Sequence, residues 1–459
     1  MAKEKTAFFC TNCGNESAKW LGKCPACGEW NTLVEERVAT GKKSASSSSS
    51  RKHKALGSGV ATPISEVGAD TTQRRDLCNE EVNRVLGGGL VKGSLVLLGG
   101  EPGIGKSTLS LQIALHAKDT KTLYISGEES NQQIKMRADR IGGNFENCLL
   151  LSETCVENII ESIDKIKPDI VIIDSIQTLY TDIVDSTTGG VAQIRECASQ
   201  LMRYAKEQEV PIFIIGHITK DGNIAGPKIL EHIVDVVLQF EGDSNNVYRI
   251  LRSIKNRFGA TSEIGVFEML GNGLREVANP SDILLTHYDE PLSGIAVGAT
   301  IDGIRPYLIE TQALVSNTAF GMPQRSTTGF DTKRLNMLLA VVEKRIGIKM
   351  IAKDVFLNIA GGFKVSDPGL DLAVMTAMLS SAFDIEIPKS MTFAGEIGLS
   401  GEIRPASRTE QRVSEASRLG FKTIVISKYA SSSTLTRYNI KIINISKVEE
   451  IVKIIKNNA

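Results

Sequence analysis

The stretch Gly100-Glu101-Pro102-Gly103-Ile104-Gly105-Lys106-Ser107 decides the fold. It has the form Gly-x4-Gly-Lys-Ser, with the apolar run Ser94–Leu98 before it and the amphipathic segment Thr108–Ala117 after it. Strand, glycine-rich loop and helix in that order make a phosphate-binding loop. Its glycines let backbone N–H groups turn toward phosphate oxygens, and the helix N-terminus adds a positive partial charge. The candidate nucleotide contacts are Gly100, Glu101, Pro102, Gly103, Ile104, Gly105, Lys106, Ser107 and Thr108. Lys106 is placed to reach the β- and γ-phosphates and Ser107 to ligate Mg²⁺. The plain alternative, a glycine-rich turn with a chance lysine, fits the flanking strand and helix poorly.

Working outward, the pattern from about residue 70 to 280 alternates strand and helix. Leu123–Ile125, Leu149–Leu151, Ile170–Ile173 and Ile212–Ile215 read as buried strands, and Val156–Ile166 and Ala192–Lys206 as helices between them. Apolar runs alternating with amphipathic helices predict a mostly parallel sheet covered on both faces. Asp174 closes one of these strands and so lies near the crevice of the phosphate loop, as a second Mg²⁺ partner. Glu128 and Glu129 follow another. Glu128 is the candidate for orienting the attacking water, whereas one of the two could instead cap the helix that begins near Ser130. His217, after Ile212–Ile215, is a candidate γ-phosphate sensor or else a satisfied core histidine. The segment Ile218–Leu230 holds Gly222, Gly226, Lys220 and Lys228, a composition suited to a nucleotide-controlled nucleic-acid contact or to an ordinary surface loop.

Tyr248 to Gly259 carries Arg249, Arg252, Lys255 and Arg257 and no acid. Lys255 and Arg257 are two apart, so on an extended strand they share a side and could clamp a phosphate, of a neighbour's ATP or of DNA. A solvated edge strand guarded by charge is the simpler reading.

The amino-terminal region holds Cys10-x2-Cys13 and Cys24-x2-Cys27. Two such pairs wrap a tetrahedral Zn²⁺, with four thiolates leaving no open position, so the ion is structural. Two disulfides are the alternative, but Cys78, Cys148, Cys155 and Cys197 are scattered as free thiols of a reducing cytoplasm are. Lys42, Lys43, the run Ser46 to Ser50 and Arg51-Lys52-His53-Lys54 read as a flexible basic linker. The expected divisions are a zinc module at 1–33, linker at 34–65, ATPase core at 66–280 and a second α/β domain at 281–459. In that last region Gly294–Ile301 and Tyr307–Val315 look like strands, and Lys333–Arg345, Leu370–Phe383 and Glu410–Leu419 like helices. Lys plus Arg and Asp plus Glu both number 53, which argues against a globally basic nucleic-acid coat but leaves room for a local one. No apolar run is long enough to span a membrane.

The four-Cys head, Gly100–Ser107, Tyr124-Ile125-Ser126-Gly127-Glu128-Glu129-Ser130, Gly216-His217-Ile218-Thr219-Lys220 and Lys255-Asn256-Arg257-Phe258-Gly259 together resemble the bacterial RadA (Sms) family of DNA repair proteins. The resemblance covers essentially the whole chain, and the last pentapeptide matches that family's signature. It implies a RecA-like P-loop core assembled as a hexameric ring, with ATP, Mg²⁺ and Zn²⁺ as cofactors. It implies DNA-stimulated ATP hydrolysis on single-stranded and branched DNA, and branch migration beside a RecA-type recombinase, in the response to DNA damage and stress. It further implies that Lys255 and Arg257 couple ATP to DNA across a subunit boundary. The carboxy-terminal region resembles the proteolytic domain of Lon, including Gly395-Glu396-Ile397 and Gly401-Glu402-Ile403. Where Lon has its serine nucleophile and lysine base, this chain has Leu370 and Glu410, so ring assembly and DNA contact are expected there rather than proteolysis.

Overall fold

The chain is described by a computed structural model over residues 4–10, 15–39, 74–117, 119–217, 227–242, 247–286, 292–318, 321–350, 352–430 and 435–457. It divides into two compact units, Met1–Val277 and Ala278–Ala459, where the sequence suggested a boundary after Pro280. Within the first, the head is a small sheet of Glu4–Cys10, Glu16–Ser17 and Leu33–Ala39. Glu4 pairs with Ala39 and Cys10 with Leu33, so the chain stays in this sheet to Ala39, past the module end expected at residue 33. Cys13, the rest of the expected linker and residues 218–226 of the Gly/Lys segment lie outside the described residues.

Beyond the head, the first unit is built on a nine-stranded sheet. Its order is Gly273–Glu276, Ile264–Leu270, Tyr248–Asn256, Val236–Glu241, Leu95–Gly100, Ile212–His217, Ile170–Asp174, Thr122–Ser126 and Cys148–Ser152. From Val236–Glu241 to Cys148–Ser152 every neighbouring pair is parallel. Leu95–Gly100 is buried at every residue because sheet neighbours flank it and helices cover both faces. Its alternate side chains divide accordingly. Val96 and Leu98 pack with Leu109 and Leu111 of the helix Lys106–His116, while Leu95 and Leu97 pack with Ile159, Ile163 and Leu201 of the opposite layer. The antiparallel extension Ile264–Leu270 and Gly273–Glu276 was not foreseen. It is a short hairpin whose burial comes from tertiary contact, with Phe267 packed in one cluster with Val82 and Val85 of the segment Glu80–Val85.

The second unit holds a seven-stranded sheet in the order Arg325–Thr328, Lys353–Ile359, Arg305–Asn317, Ile295–Asp302, Met391–Ala394, Thr423–Ser427 and Lys441–Ile445. The helix Asp371–Phe383 lies against it, with every residue from Asp371 to Ser380 buried. That burial follows from sequence, since Leu372-Ala373-Val374-Met375 and Ala377-Met378-Leu379 offer apolar atoms on all sides. Two arginines reach into this packing. Arg412, fully buried, grips Asp367 through Nη1 to Oδ2 at 2.6 Å and Nη2 to Oδ1 at 3.0 Å, and also donates to the Ala299 and Ser407 carbonyls. Arg334 makes a two-pronged contact with the buried Asp371. Burial alone would push the Asp367 carboxyl up. The Arg412 contacts, with the Gly369 N–H and Thr300 hydroxyl, more than offset that and hold it below the usual carboxylate range. No helix among the described residues is long and apolar enough to cross a membrane.

Removing one partner of a buried ion pair strands the other charge, at a cost of about 3–5 kcal/mol. Arg412→Ala should therefore lower the unfolding free energy of the second unit by about that much in a urea titration. A loss below about 1 kcal/mol would show that Asp367 finds another partner.

Candidate active site and metal centre

The parallel strands bring their carboxyl ends to one edge. Gly100 stands beside His217 and Phe240, and Ser126 beside Asp174. The phosphate loop, Glu128, Asp174 and His217 are thus gathered by sheet register, as the sequence had them.

The loop turns through residues held at positive φ, Gly103 at 77° and Gly105 at 116°, and Gly105 then caps the helix Lys106–His116. At Gly105 a side chain would meet strain as well as the Met269 methyl, 2.8 Å from where its Cβ would stand. Lys106 is buried, and its ammonium donates to the carbonyls of Gly100 at 2.8 Å and Glu101 at 2.9 Å. Burial lowers its pKa to about 8, while the charges of Asp174 and Glu128 pull the other way. The ammonium therefore waits inside the loop, near two carboxylates, where a triphosphate would bring further negative charge. Arg249, counted in the sequence only as one of four cations, donates from Nε to the Ile104 carbonyl at 3.2 Å and so braces the loop from below.

Asp174 is buried at the end of its strand. The Tyr124 hydroxyl donates to its Oδ2 at 2.8 Å. Tyr124 is itself fully buried, and burial first, then the Asp174 charge and hydrogen bond, hold its phenol well above its ordinary pKa. Oδ1 of Asp174 carries no hydrogen bond among the described residues. A buried carboxylate with one oxygen open, beside a loop that offers the Ser107 hydroxyl, suits a hard divalent cation. The donor set fits Mg²⁺.

Glu128 receives the Ser175 hydroxyl on Oε1 at 2.6 Å, and His217 Nε2 lies 3.3 Å from the same oxygen. His217 Nδ1 is buried without a hydrogen-bond partner among the described residues. Glu129 does not cap the following helix. Ser130 does, in a reciprocal box with Gln133, and Glu129 pairs with Arg137. The turn that carries Glu128 is fixed by Gly127, where a Cβ would fall 2.2 Å from the Thr178 hydroxyl.

Lys255 and Arg257 lie elsewhere. Asn256 pairs with Val236, which pairs with Val96, so the basic segment ends at the amino edge of the parallel strands. The Arg257 N–H bonds the Asp235 carbonyl, and the Asp235 N–H bonds Leu95. Arg257 is therefore level with Leu95, about 16 Å along the strand from Gly100 at about 3.3 Å per residue. Both cations turn toward one segment. Lys255 donates to the carbonyls of Glu231 and Val234, satisfying the end of the helix Pro227–Ile233, and Arg257 Nη1 lies 3.4 Å from Asp235. Burial, then the Arg257 charge, lowers the Lys255 pKa. Asp235 is the hub that sequence reading missed. It is buried, accepts the Leu95 N–H at 3.2 Å and pairs with Lys206 at 2.7 Å. Asn256 donates to the Leu86 carbonyl and accepts the Phe258 N–H, and Gly259 packs against Gly87.

In the head, the sulfurs of Cys10, Cys24 and Cys27 all lie within 4.8 Å of one another, and Cys10 and Cys27 are 3.7 Å apart. Sulfurs about 2.3 Å from a tetrahedral zinc stand about 3.8 Å apart, so the three fit one ion.

The fold and loop define a RecA-like P-loop ATPase. Sequence models of an AAA domain match residues 63–223, of a rubredoxin metal-binding domain residues 8–35, and of subunit ChlI of Mg-chelatase residues 311–430. The DNA repair protein RadA of Halalkalibacterium halodurans is 48% identical over 458 residues, 99% of each chain. That of Bacillus subtilis is 47% identical over 455 residues, again 99% of each, and that of Rickettsia felis 48% over 438, 93% of this chain and 95% of the relative. The chain belongs to the RadA family of DNA repair proteins. A solved KaiC-like protein from Pyrococcus horikoshii aligns over 45% of this chain and 99% of its own at 21% identity, with a TM-score of 0.38.

A thiolate site of Cys10, Cys24 and Cys27 in so small a sheet makes metal binding part of its folding. Stripping Zn²⁺ with a chelator should unfold the head and leave the ATPase core's thermal transition and nucleotide binding in place. Loss of both on chelation would contradict a separately folding head.

Proposed function

We propose that this chain is a DNA-dependent ATPase acting on recombination intermediates in break repair, a hexameric ring-shaped motor that extends heteroduplex by branch migration beside a RecA-type recombinase. Its place of action in this reading is the cytoplasm, on single-stranded and branched DNA. The observation that carries the coupling is the position of Lys255 and Arg257. They stand at the far edge of the sheet from this chain's own phosphate loop, so a role for them at a γ-phosphate requires a neighbouring subunit's site.

Within one subunit the roles divide by geometry. The loop N–H groups and Lys106 hold the β- and γ-phosphates. Ser107 and Asp174 hold Mg²⁺, which when bound neutralises charge on those oxygens. Glu128 orients the water for in-line attack. His217 contacts Glu128 and directly precedes residues 218–226, so a change at Glu128 when phosphate leaves is passed to that Gly/Lys segment, the proposed DNA contact.

The carboxy-terminal unit serves assembly and DNA contact in this reading. Leu370 is fully buried and Glu410 bonds Arg437 and Tyr438, so neither position supplies the nucleophile or base that a Lon-type protease uses. Buried ion pairs Arg412–Asp367 and Arg334–Asp371 occupy the surrounding packing.

The ATPase rate with and without single-stranded and branched DNA tests this reading. The wild type should be stimulated by DNA. Lys106→Ala should lose turnover by a factor of about 10³ or more while keeping its fold, because it removes a phosphate contact and no core. Lys255→Ala should keep nucleotide binding and lose DNA stimulation and branch migration. A rate indifferent to DNA would favour a signalling ATPase, and unchanged branch migration by Lys255→Ala would refute the coupling role.

A further inference from the structure

Each of the two carboxylates at the phosphate site is gripped by one hydroxyl, and the two hydroxyls come from different places. Tyr124 and Asp174 sit on neighbouring strands. Tyr124 pairs with Ile172 and Ser126 with Asp174, so the two side chains form a diagonal pair on one sheet face. Tyr124 is packed in the layer that holds Leu109, Leu111 and Ile113 of the phosphate-loop helix, and its hydroxyl emerges only at Asp174 Oδ2. Ser175, fully buried, follows Asp174 in the chain yet serves the other carboxylate, donating at 2.6 Å to Glu128 Oε1.

We propose that Tyr124 and Ser175 are positioning residues that assign the two carboxylates to different tasks, Tyr124 fixing Asp174 for the metal and Ser175 fixing Glu128 for the water. This rests on the roles given above to Asp174 and Glu128. A carboxylate's terminal torsion is broad and nearly two-fold, so an external donor is what selects one orientation. With Oδ2 bound to Tyr124, Asp174 presents Oδ1 alone to the cation. With Oε1 bound to Ser175, Glu128 presents Oε2 to the water. The Tyr124 hydrogen bond also satisfies an oxygen of the buried Asp174 that would otherwise be desolvated without a partner. Neither hydroxyl reaches substrate, so both act through the group they hold.

The prediction is a double dissociation. Tyr124→Phe keeps the ring and its packing. It should weaken Mn²⁺ binding in the presence of a non-hydrolysable ATP analogue, followed by the electron paramagnetic resonance signal of free Mn²⁺, by about tenfold, as loss of an outer-shell partner does. Its kcat at saturating Mg²⁺ should stay within about twofold of wild type, because Glu128 keeps its donor. Ser175→Ala should leave Mn²⁺ binding unchanged and lower kcat by about tenfold or more, with Ser175→Thr restoring it. Asp174→Asn and Glu128→Gln run beside them. If Asp174→Asn leaves Mn²⁺ binding intact, or Glu128→Gln leaves kcat intact, the roles of the carboxylates fail. If those controls behave and Tyr124→Phe binds Mn²⁺ normally, or Ser175→Ala turns over normally, the positioning roles fail. Early thermal unfolding with loss of both readouts in either variant would make its hydroxyl a structural support and overturn the assignment.

Discussion

Everything at the nucleotide site depends on the parallel pairing of Leu95–Gly100 with Ile212–His217 on one side and Val236–Glu241 on the other. A parallel pair sends both chains off the same edge of the sheet. The neighbour of the strand that launches the phosphate loop thereby delivers His217 beside Gly100, and the next strands deliver Asp174 and Glu128 within range of the Lys106 charge. The same pairing fixes what lies at the opposite edge. Val236–Glu241 turns back antiparallel into Tyr248–Asn256, so Lys255 and Arg257 are carried away from the loop by construction. One sheet thus separates a phosphate-holding edge from a cationic edge.

Several charges are taken out of water, and three such places show how each is answered locally. Lys106 is answered by the carbonyls of Gly100 and Glu101. Asp235 is answered by Lys206, Arg257 and the Leu95 N–H, which ties the cationic edge to the strand that bears the loop. Asp367 and Asp371 are answered by Arg412 and Arg334.

Much of this was legible in the sequence. The loop motif between an apolar run and an amphipathic helix specified strand, turn and helix. Buried strands showed as short apolar runs because a two-sided parallel sheet leaves no polar face. The strand-end positions of Asp174 and His217 followed from that. Tyr124 and Ser175 were not legible, because a hydroxyl in a strand or turn gains meaning only from the neighbour that sheet register supplies. Asp235 and Arg249 were hidden for the same reason, their partners being more than a hundred residues away in Leu95 and Ile104. The head runs past the end expected at residue 33, because the charged Glu35-Glu36-Arg37 reads as linker until its pairing with Glu4–Cys10 is seen.

In the proposed ring, the cationic edge of one subunit completes the phosphate edge of another. Mixing two inactive variants, Lys106→Ala and Arg257→Ala, tests it most directly. Mixed assemblies would contain interfaces where an intact phosphate loop faces an intact Arg257, so DNA-stimulated ATP hydrolysis should rise above that of either variant alone. If Arg257 acts within its own chain no such interface can form, and a mixture no more active than its components would contradict the account.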